Sequence, residues 1–245
     1  MEIWGKLLGV LLAIENASLI RGPGDTPISS IEHTAAPITT SSSGRLPVLL
    51  WHGMGDSYES ASMQWVSDTL QKEHPDLDIY SIYIDRDGGK DKEASILGDA
   101  MTQRNALIKS RIYTDYIQNN IIQAQYFRNV NDYDTYLEKS AFLKYVNNEL
   151  FKDLEYYDRL VTLNKFVMVM FDKDEMLVPK ESAWFYDIDQ ETGDLISFNQ
   201  TDSYSFDLIG LKKLHEDGKI DFLKIDDLHL KISENDLIYI AKTYL

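Results

Sequence analysis

The sequence predicts an α/β fold with a mostly parallel sheet and flanking helices, and three observations carry that expectation. Leu46 to Trp51 is a continuous apolar run bounded by Pro47 and by the Gly53/Gly55 pair, the pattern of a strand covered on both faces. Asp78 to Ile84 follows one helix-length later and alternates Ile79, Ser81 and Tyr83 with Tyr80, Ile82 and Ile84, so the chain opens β-α-β, the start of a doubly wound sheet. After a polar, helical middle, the apolar pattern returns at Lys165 to Phe171, and Ile220 to Ile225 reads as a last strand.

Each element has its own signal. The apolar stretch Leu7 to Ile14, with Lys6 before it, reads as a short secretory signal, interrupted by Glu2 and Glu15 and far too short to span a bilayer. Arg21 to Gly44 is rich in Pro, Ser, Thr and Ala, the composition of a linker. Residues 1–44 are therefore expected as leader and linker, and 45–245 as a single domain. In the first helix Met63, Val66 and Leu70 fall at helical spacing, Ser60 or Ser62 supplies the cap, and His74-Pro75 ends it. Ala106 to Phe127 places Ile108, Ile112, Tyr116, Ile121, Ile122 and Tyr126 near one helical stripe, and Tyr136 to Leu150 offers a second amphipathic stretch. Leu237 to Leu245 closes the chain as a helix with Ser233 as N-cap.

Composition removes several classes of function. A length of 245 residues with 44% hydrophobic content is enough for one sizeable core. The net charge of −16 has no basic stripe to meet phosphates, so no nucleic-acid partner is expected. With no cysteine there is no disulfide, no thiolate nucleophile and no Cys-ligated zinc. Asp85 to Glu93 resembles a calcium loop at a glance, but Lys90 stands where the sharp-turn glycine belongs and Gly89 where a ligand belongs; Asp187 to Glu191 fails similarly, with Thr192 in the glycine place. No histidine pair has zinc spacing, so no metal and no cofactor are expected.

The residues that remain suit acyl transfer. Gly53-Met54-Gly55 follows a buried strand, where glycines let backbone N–H groups turn into a crevice at the strand ends. There the Met54 amide is a candidate oxyanion donor, although any strand-to-helix turn favours glycine. Asp174 lies three residues beyond the Lys165–Phe171 strand, where an acid can accept from the Nδ1–H of a distant histidine; Asp172 and Glu175 are equally acidic neighbours. His229, between the last strand and the final helix, is the candidate base. His52, at a strand end, reads as structural, and His33, His74 and His215 receive no role. The nucleophile is missing: the only glycines four apart are Gly5 and Gly9, and Leu7 lies between them, so no Gly-x-Ser-x-Gly turn exists.

These residues resemble one family, the lysosomal palmitoyl-protein thioesterases of type 1. Leu46 to Ser57 (LPVLLWHGMGDS) is similar to its opening strand and oxyanion turn, and Gln123-Ala-Gln-Tyr126 to its Gln-Ala-Glu-Tyr segment. Ser140-Ala-Phe-Leu143 with Asn147-Asn-Glu149, Lys165 to Phe171 leading to Asp174, and Leu208 to Lys212 leading to His229 agree in order. The resemblance implies an α/β-hydrolase fold and hydrolysis of the thioester between a fatty acyl chain and a protein cysteine. Asp174 would be the acid, His229 the base and the Met54 amide one oxyanion donor. It also implies S-acylated proteins and the fatty acyl chain as partners, and a secretory route to lysosome or vacuole, or to the exterior. Sequons at Asn16-Ala-Ser and Asn199-Gln-Thr fit that route.

The departure from the family is equally local. Its elbow, of the form Gly-Phe-Ser-Gln-Gly-Gly, follows the segment resembling Glu93 to Gln103, whereas here Gln103 runs directly into Arg104-Asn-Ala-Leu, which resembles sequence well beyond it. At about 30 residues per β-α-β unit, the missing stretch is on the order of 60 to 90 residues. The expectation is an incomplete α/β-hydrolase fold without thioesterase activity, in which strands such as Phe166 to Met170 lose a neighbour. Ser57 and Ser95 lie nearest to suitable positions, but neither sits in a tight turn. The alternative is a non-enzymatic acyl-chain or protein-binding remnant.

Overall fold

The computed structural model describes residues 9–11, 48–53, 55–95, 111–120 and 122–245. A short strand β1 (Gly9–Leu11) runs antiparallel to β2 (Val48–Trp51), which pairs in parallel with β3 (Ile79–Ile82). Between β2 and β3 runs α1 (Ala61–Glu73). Of the two serines that could cap it, Ser60 does so, its side chain accepting from the Met63 amide, and His74 closes the other end. Val48 and Leu50 point to α1 and are fully buried, whereas Trp51 is 52% exposed. Among the described residues only one face of this sheet is covered, against the expectation of two, because the helices that pack on it, α1 and the last helix, share one side.

The second half begins with α2 (Gly88–Ser95). Of the helix expected over Ala106 to Phe127, residues 111–114 form a turn, and α3 (Asp115–Asn120) and α4 (Ile122–Gln125) are helical; Ile121 between them lies outside the described residues. The buried Gln118 side chain ties the turn before α3 to α4 and to Ala141. Its Nε2 donates to the carbonyls of Ile112 and Ala124, and its Oε1 accepts from the Ala141 amide, so a side chain satisfies groups that a continuous helix would bond internally. Of the expected stripe, Ile112 is buried but Tyr116 and Tyr126 are exposed; Ile108 and Ile121 lie outside the described residues.

The second amphipathic stretch also divides, into α5 (Tyr133–Lys139) and α6 (Leu143–Val146), because Ser140 takes an extended conformation after accepting its role as C-cap. A half-buried cluster explains why these short helices hold together. Arg128 bonds Glu149 at 2.7 Å and Asp187 at 2.8 Å, the Tyr136 hydroxyl donates to Glu149, and the guanidinium lies over the Tyr133 ring. After α7 (Leu154–Val161), β4 (Phe166–Phe171) pairs in parallel with β7 (Ile220–Ile225), Phe166 opposite Ile220 and Phe171 opposite Ile225. Between them lie the hairpin β5 (Asp187–Ile188) and β6 (Leu195–Ile196), then α8 (Asp202–Ser205) and α9 (Leu211–Glu216).

The last helix, α10 (Glu234–Tyr244), joins the halves. Ser233 caps it with a reciprocal capping box to Asp236. Leu237 and Ala241 enter the core of Val48, Leu50, Met63, Val66 and Leu70, while the Tyr244 hydroxyl donates to Asp221 on β7 at 3.0 Å. A second core of Met168, Phe198, Ile209, Leu211, Leu214 and Ile220 fills one face of the β4/β7 pair. The architecture is mixed α/β, with short parallel sheets and flanking helices, consistent with a partial α/β-hydrolase fold. The described strands do not form the expected single sheet, since none of them joins β2/β3 to β4/β7.

Candidate active site

The candidate site forms where the loops beyond β4 and β7 run together at the carboxyl ends of the strands. The amide of Asp172 donates to the Ile225 carbonyl at 2.8 Å and that of Lys173 to Asp227 at 3.1 Å, which extends the strand pairing into the loops. Asp174 then turns back, its amide bonding the Phe171 carbonyl. Its Oδ1 accepts from the amides of Met176 and Leu177 at 2.8 and 3.1 Å, so the carboxylate builds the turn that holds it. Its Oδ2 is left for His229 Nδ1, 2.6 Å away. His229 reaches that point through a tight turn in which Leu230 has φ 57° and the Lys231 amide returns to the Leu228 carbonyl at 3.0 Å.

Both side chains are sheltered, Asp174 to 2% and His229 to 10% exposure. Burial pushes the Asp174 carboxyl up, but the hydrogen bonds from His229 and from the amides of Leu177 and Met176 outweigh it and hold the group below the ordinary carboxylate range. Because a carboxylate only accepts, Nδ1 carries the proton, and in the neutral ring Nε2 is the acceptor. That is the arrangement of an oriented general base. Of the three acids left open at the sequence level, Asp174 alone meets the histidine. Asp172 bonds Lys180 at 2.8 Å, and Glu175 is exposed.

At the end of β2, the Gly53 carbonyl accepts from the Asp56 amide at 3.2 Å, and Gly55 has φ 78°, a conformation that favours glycine. Met54, the candidate oxyanion donor, lies outside the described residues, as do Gln103 and Arg104. His52 is buried in this turn, its Nδ1 3.0 Å from the Gly53 carbonyl and its Nε2 3.0 Å from Asp91 Oδ2, a close contact without the alignment of a hydrogen bond. Asp91 is the residue that sequence reading missed. It is fully buried and accepts from the amides of Tyr58 at 2.9 Å, Ile84 at 2.6 Å and Asp85 at 3.2 Å, tying the loop after β2 to the loop after β3. Burial raises its carboxyl, and the three amides with His52 overcompensate and lower it. Only its place within a failed calcium loop drew notice to that segment; its spacing from the end of β3 was the available signal.

Among the described residues no serine hydroxyl bonds His229, and no group of His, Cys, Asp or Glu is placed to hold a metal ion. No described helix is long and apolar enough to cross a membrane.

Comparison with known proteins places these features in one family. The palmitoyl protein thioesterase model matches residues 47–110 and 100–229, which includes β2, Asp174 and His229. Palmitoyl-protein thioesterase 1 of Caenorhabditis elegans is 39% identical over 133 residues, 54% of this chain and 45% of that protein. A palmitoyl-protein thioesterase–dolichyl pyrophosphate phosphatase fusion of Schizosaccharomyces pombe is 25% identical over 291 residues, 89% of this chain and 46% of that protein. A lysosomal thioesterase homologue of Drosophila melanogaster is 33% identical over 97 residues, 39% of this chain and 33% of that protein. The chain thus spans less than half the length of these curated relatives. With the family model matching well over half of its residues, the chain belongs to the palmitoyl protein thioesterase family.

Proposed function

We propose that this chain carries the acid and base of a serine thioester hydrolase acting on fatty-acylated protein cysteines, and that, as written, it does not turn over because the serine elbow is absent. The observation that carries this reading is the 2.6 Å contact from His229 Nδ1 to a buried Asp174. In the complete reaction His229 Nε2 would take the proton of a serine hydroxyl as it attacks the thioester carbonyl. Asp174 would steady the imidazolium, the Met54 amide would bind the oxyanion, and water would then release the fatty acid. Among the described residues the base has no hydroxyl to activate.

Two features of the comparisons support an excised segment. The family match breaks into two stretches that meet at residues 100–110, around the Gln103–Arg104 junction. The S. pombe alignment runs to 291 positions while taking in 89% of these 245 residues, about 218, so on the order of 70 positions face a gap here, the size of two to three β-α-β units. Reading the transcript between the codons of Gln103 and Arg104 tests this directly; an in-frame Gly-x-Ser-x-Gly turn there would make the complete product an enzyme.

Turnover of a long-chain acyl thioester tests the function. Release equal to that of His229→Ala is expected, and release above it overturns the inactivity. A second reading, a non-enzymatic acyl-chain or protein-binding remnant, is favoured by the apolar groups around the pair: Met176, Leu177, Val178 and Leu228 are all exposed. Tight palmitate binding without turnover would support it. A route to lysosome or vacuole, or to the exterior, is supported by the lysosomal name of the Drosophila relative and by the exposed sequon residue Asn199.

A further inference from the structure

The catalytic reading leaves the segment Ser197 to Asp202 unused. It holds Asn199-Gln-Thr201, an Asn-x-Thr acceptor pattern with no proline in the middle place; Asn16-Ala-Ser18 is the other match in the chain and lies outside the described residues. Phe198–Gln200 forms a single 3₁₀ turn that runs into α8, and the turn sorts its side chains: Phe198 is buried in the second core, whereas Asn199 and Gln200 are exposed. Thr201 is buried as well. Its hydroxyl donates to the Phe198 carbonyl at 3.0 Å and accepts from the Tyr204 amide at 3.3 Å, which caps α8. Buried residues thus pin the turn on both sides of Asn199 and Gln200 and hold the asparagine side chain in solvent. The Asn199 side-chain amide meets Ser197 Oγ at 3.1 Å and bonds no backbone group among the described residues, so its nitrogen can be substituted without stranding a buried partner.

We propose that Asn199 is an attachment site for an N-linked glycan. A transferase of the secretory route brings a sugar carried on a lipid diphosphate to the asparagine. The Nδ2 nitrogen bonds to C1 of the sugar, the C1–O bond to the diphosphate breaks, and the lipid diphosphate leaves with that electron pair while Nδ2 gives up one proton. Transfer precedes folding, so the folded structure decides whether the product is tolerated. A glycan is bulky and belongs at the surface, and Asn199 gives up no place in either core to carry one. Thr201 serves twice, its hydroxyl completing the acceptor pattern in the extended chain and capping α8 in the folded one. The site rests on the secretory route proposed above, since donor and transferase meet only chains that enter it, and it is independent of turnover.

Translation of the full chain in the presence of sealed microsomes tests it, with entry read separately from modification. Protection from added protease reports entry. A mobility shift removed by an amidase that leaves Asp in place of Asn199 reports the glycan, its position read by mass spectrometry. The expected result is a protected chain that loses one step of shift in Asn199→Gln and keeps it in Thr201→Ser; any step that survives in Asn199→Gln and disappears in Asn16→Gln belongs to the other acceptor. A protected chain without a shift, or with a shift that Asn199→Gln leaves unchanged, would overturn the proposal while the route stands. A chain digested completely in the absence of detergent would overturn the route and the site with it. Because transfer comes before folding, the result does not require any variant to fold.

Discussion

Asp174 and Asp91 are both buried, both bonded by backbone amides and both beside a histidine, yet they do different work. Asp174 uses one oxygen to build its own turn and offers the other to a histidine at 10% exposure, which leaves the ring able to meet a reactant. Asp91 has no exposure and faces a histidine that is itself sealed. Removing it strands three amides and His52, so Asp91→Ala should cost about 3 to 5 kcal/mol, measured by urea unfolding at pH 7. The pH dependence follows from the sign of the shifts. Both carboxyls are held low in the folded chain, so their contribution is complete above the unfolded value, about 3.9, and is lost as pH falls through the lower folded values. Unfolding free energy measured from pH 5 downward should therefore decline less steeply in Asp91→Ala than in the parent chain.

At the scale of elements, the regular pieces were legible where one periodicity acted alone. The Ser60 cap, the β4 and β7 runs and the Ser233 cap of α10 stand where the residues suggest, because local capping chemistry and apolar patterning agree there. The middle was not legible: Gln118 bonds the Ile112 and Ala124 carbonyls on either side of it and the Ala141 amide, and hydrophobic spacing carries no trace of such bonds. Both acidic and basic members of the candidate pair were legible, but that Asp174 rather than Asp172 or Glu175 meets His229 is set by loop pairing beyond the strands. Ser233→Ala removes the capping box and should cost about 1 kcal/mol in thermal or urea unfolding. Gly210 has φ 95°, and a Cβ there would lie 2.4 Å from Val161 Cγ1, whereas Gly218 has φ 69° with open space around it. Gly210→Ala should therefore destabilise more than Gly218→Ala, by about 1 kcal/mol or more given the added overpacking.

At the scale of the molecule, among the described residues, two cores sit on two separate parallel strand pairs, linked through α10. The two stretches of the family match overlap at residues 100–110, which lie in sequence between those strand pairs. The ends of β4 and β7 hold the His229–Asp174 pair, and no Gly-x-Ser-x-Gly turn stands in the sequence to present a nucleophile. The measurement that bears most directly on this is single-turnover hydrolysis of a long-chain acyl thioester by the purified 245-residue chain beside His229→Ala. Equal, background rates are expected; a burst or steady release that His229→Ala abolishes would mean that another side chain attacks the acyl group, contradicting the account.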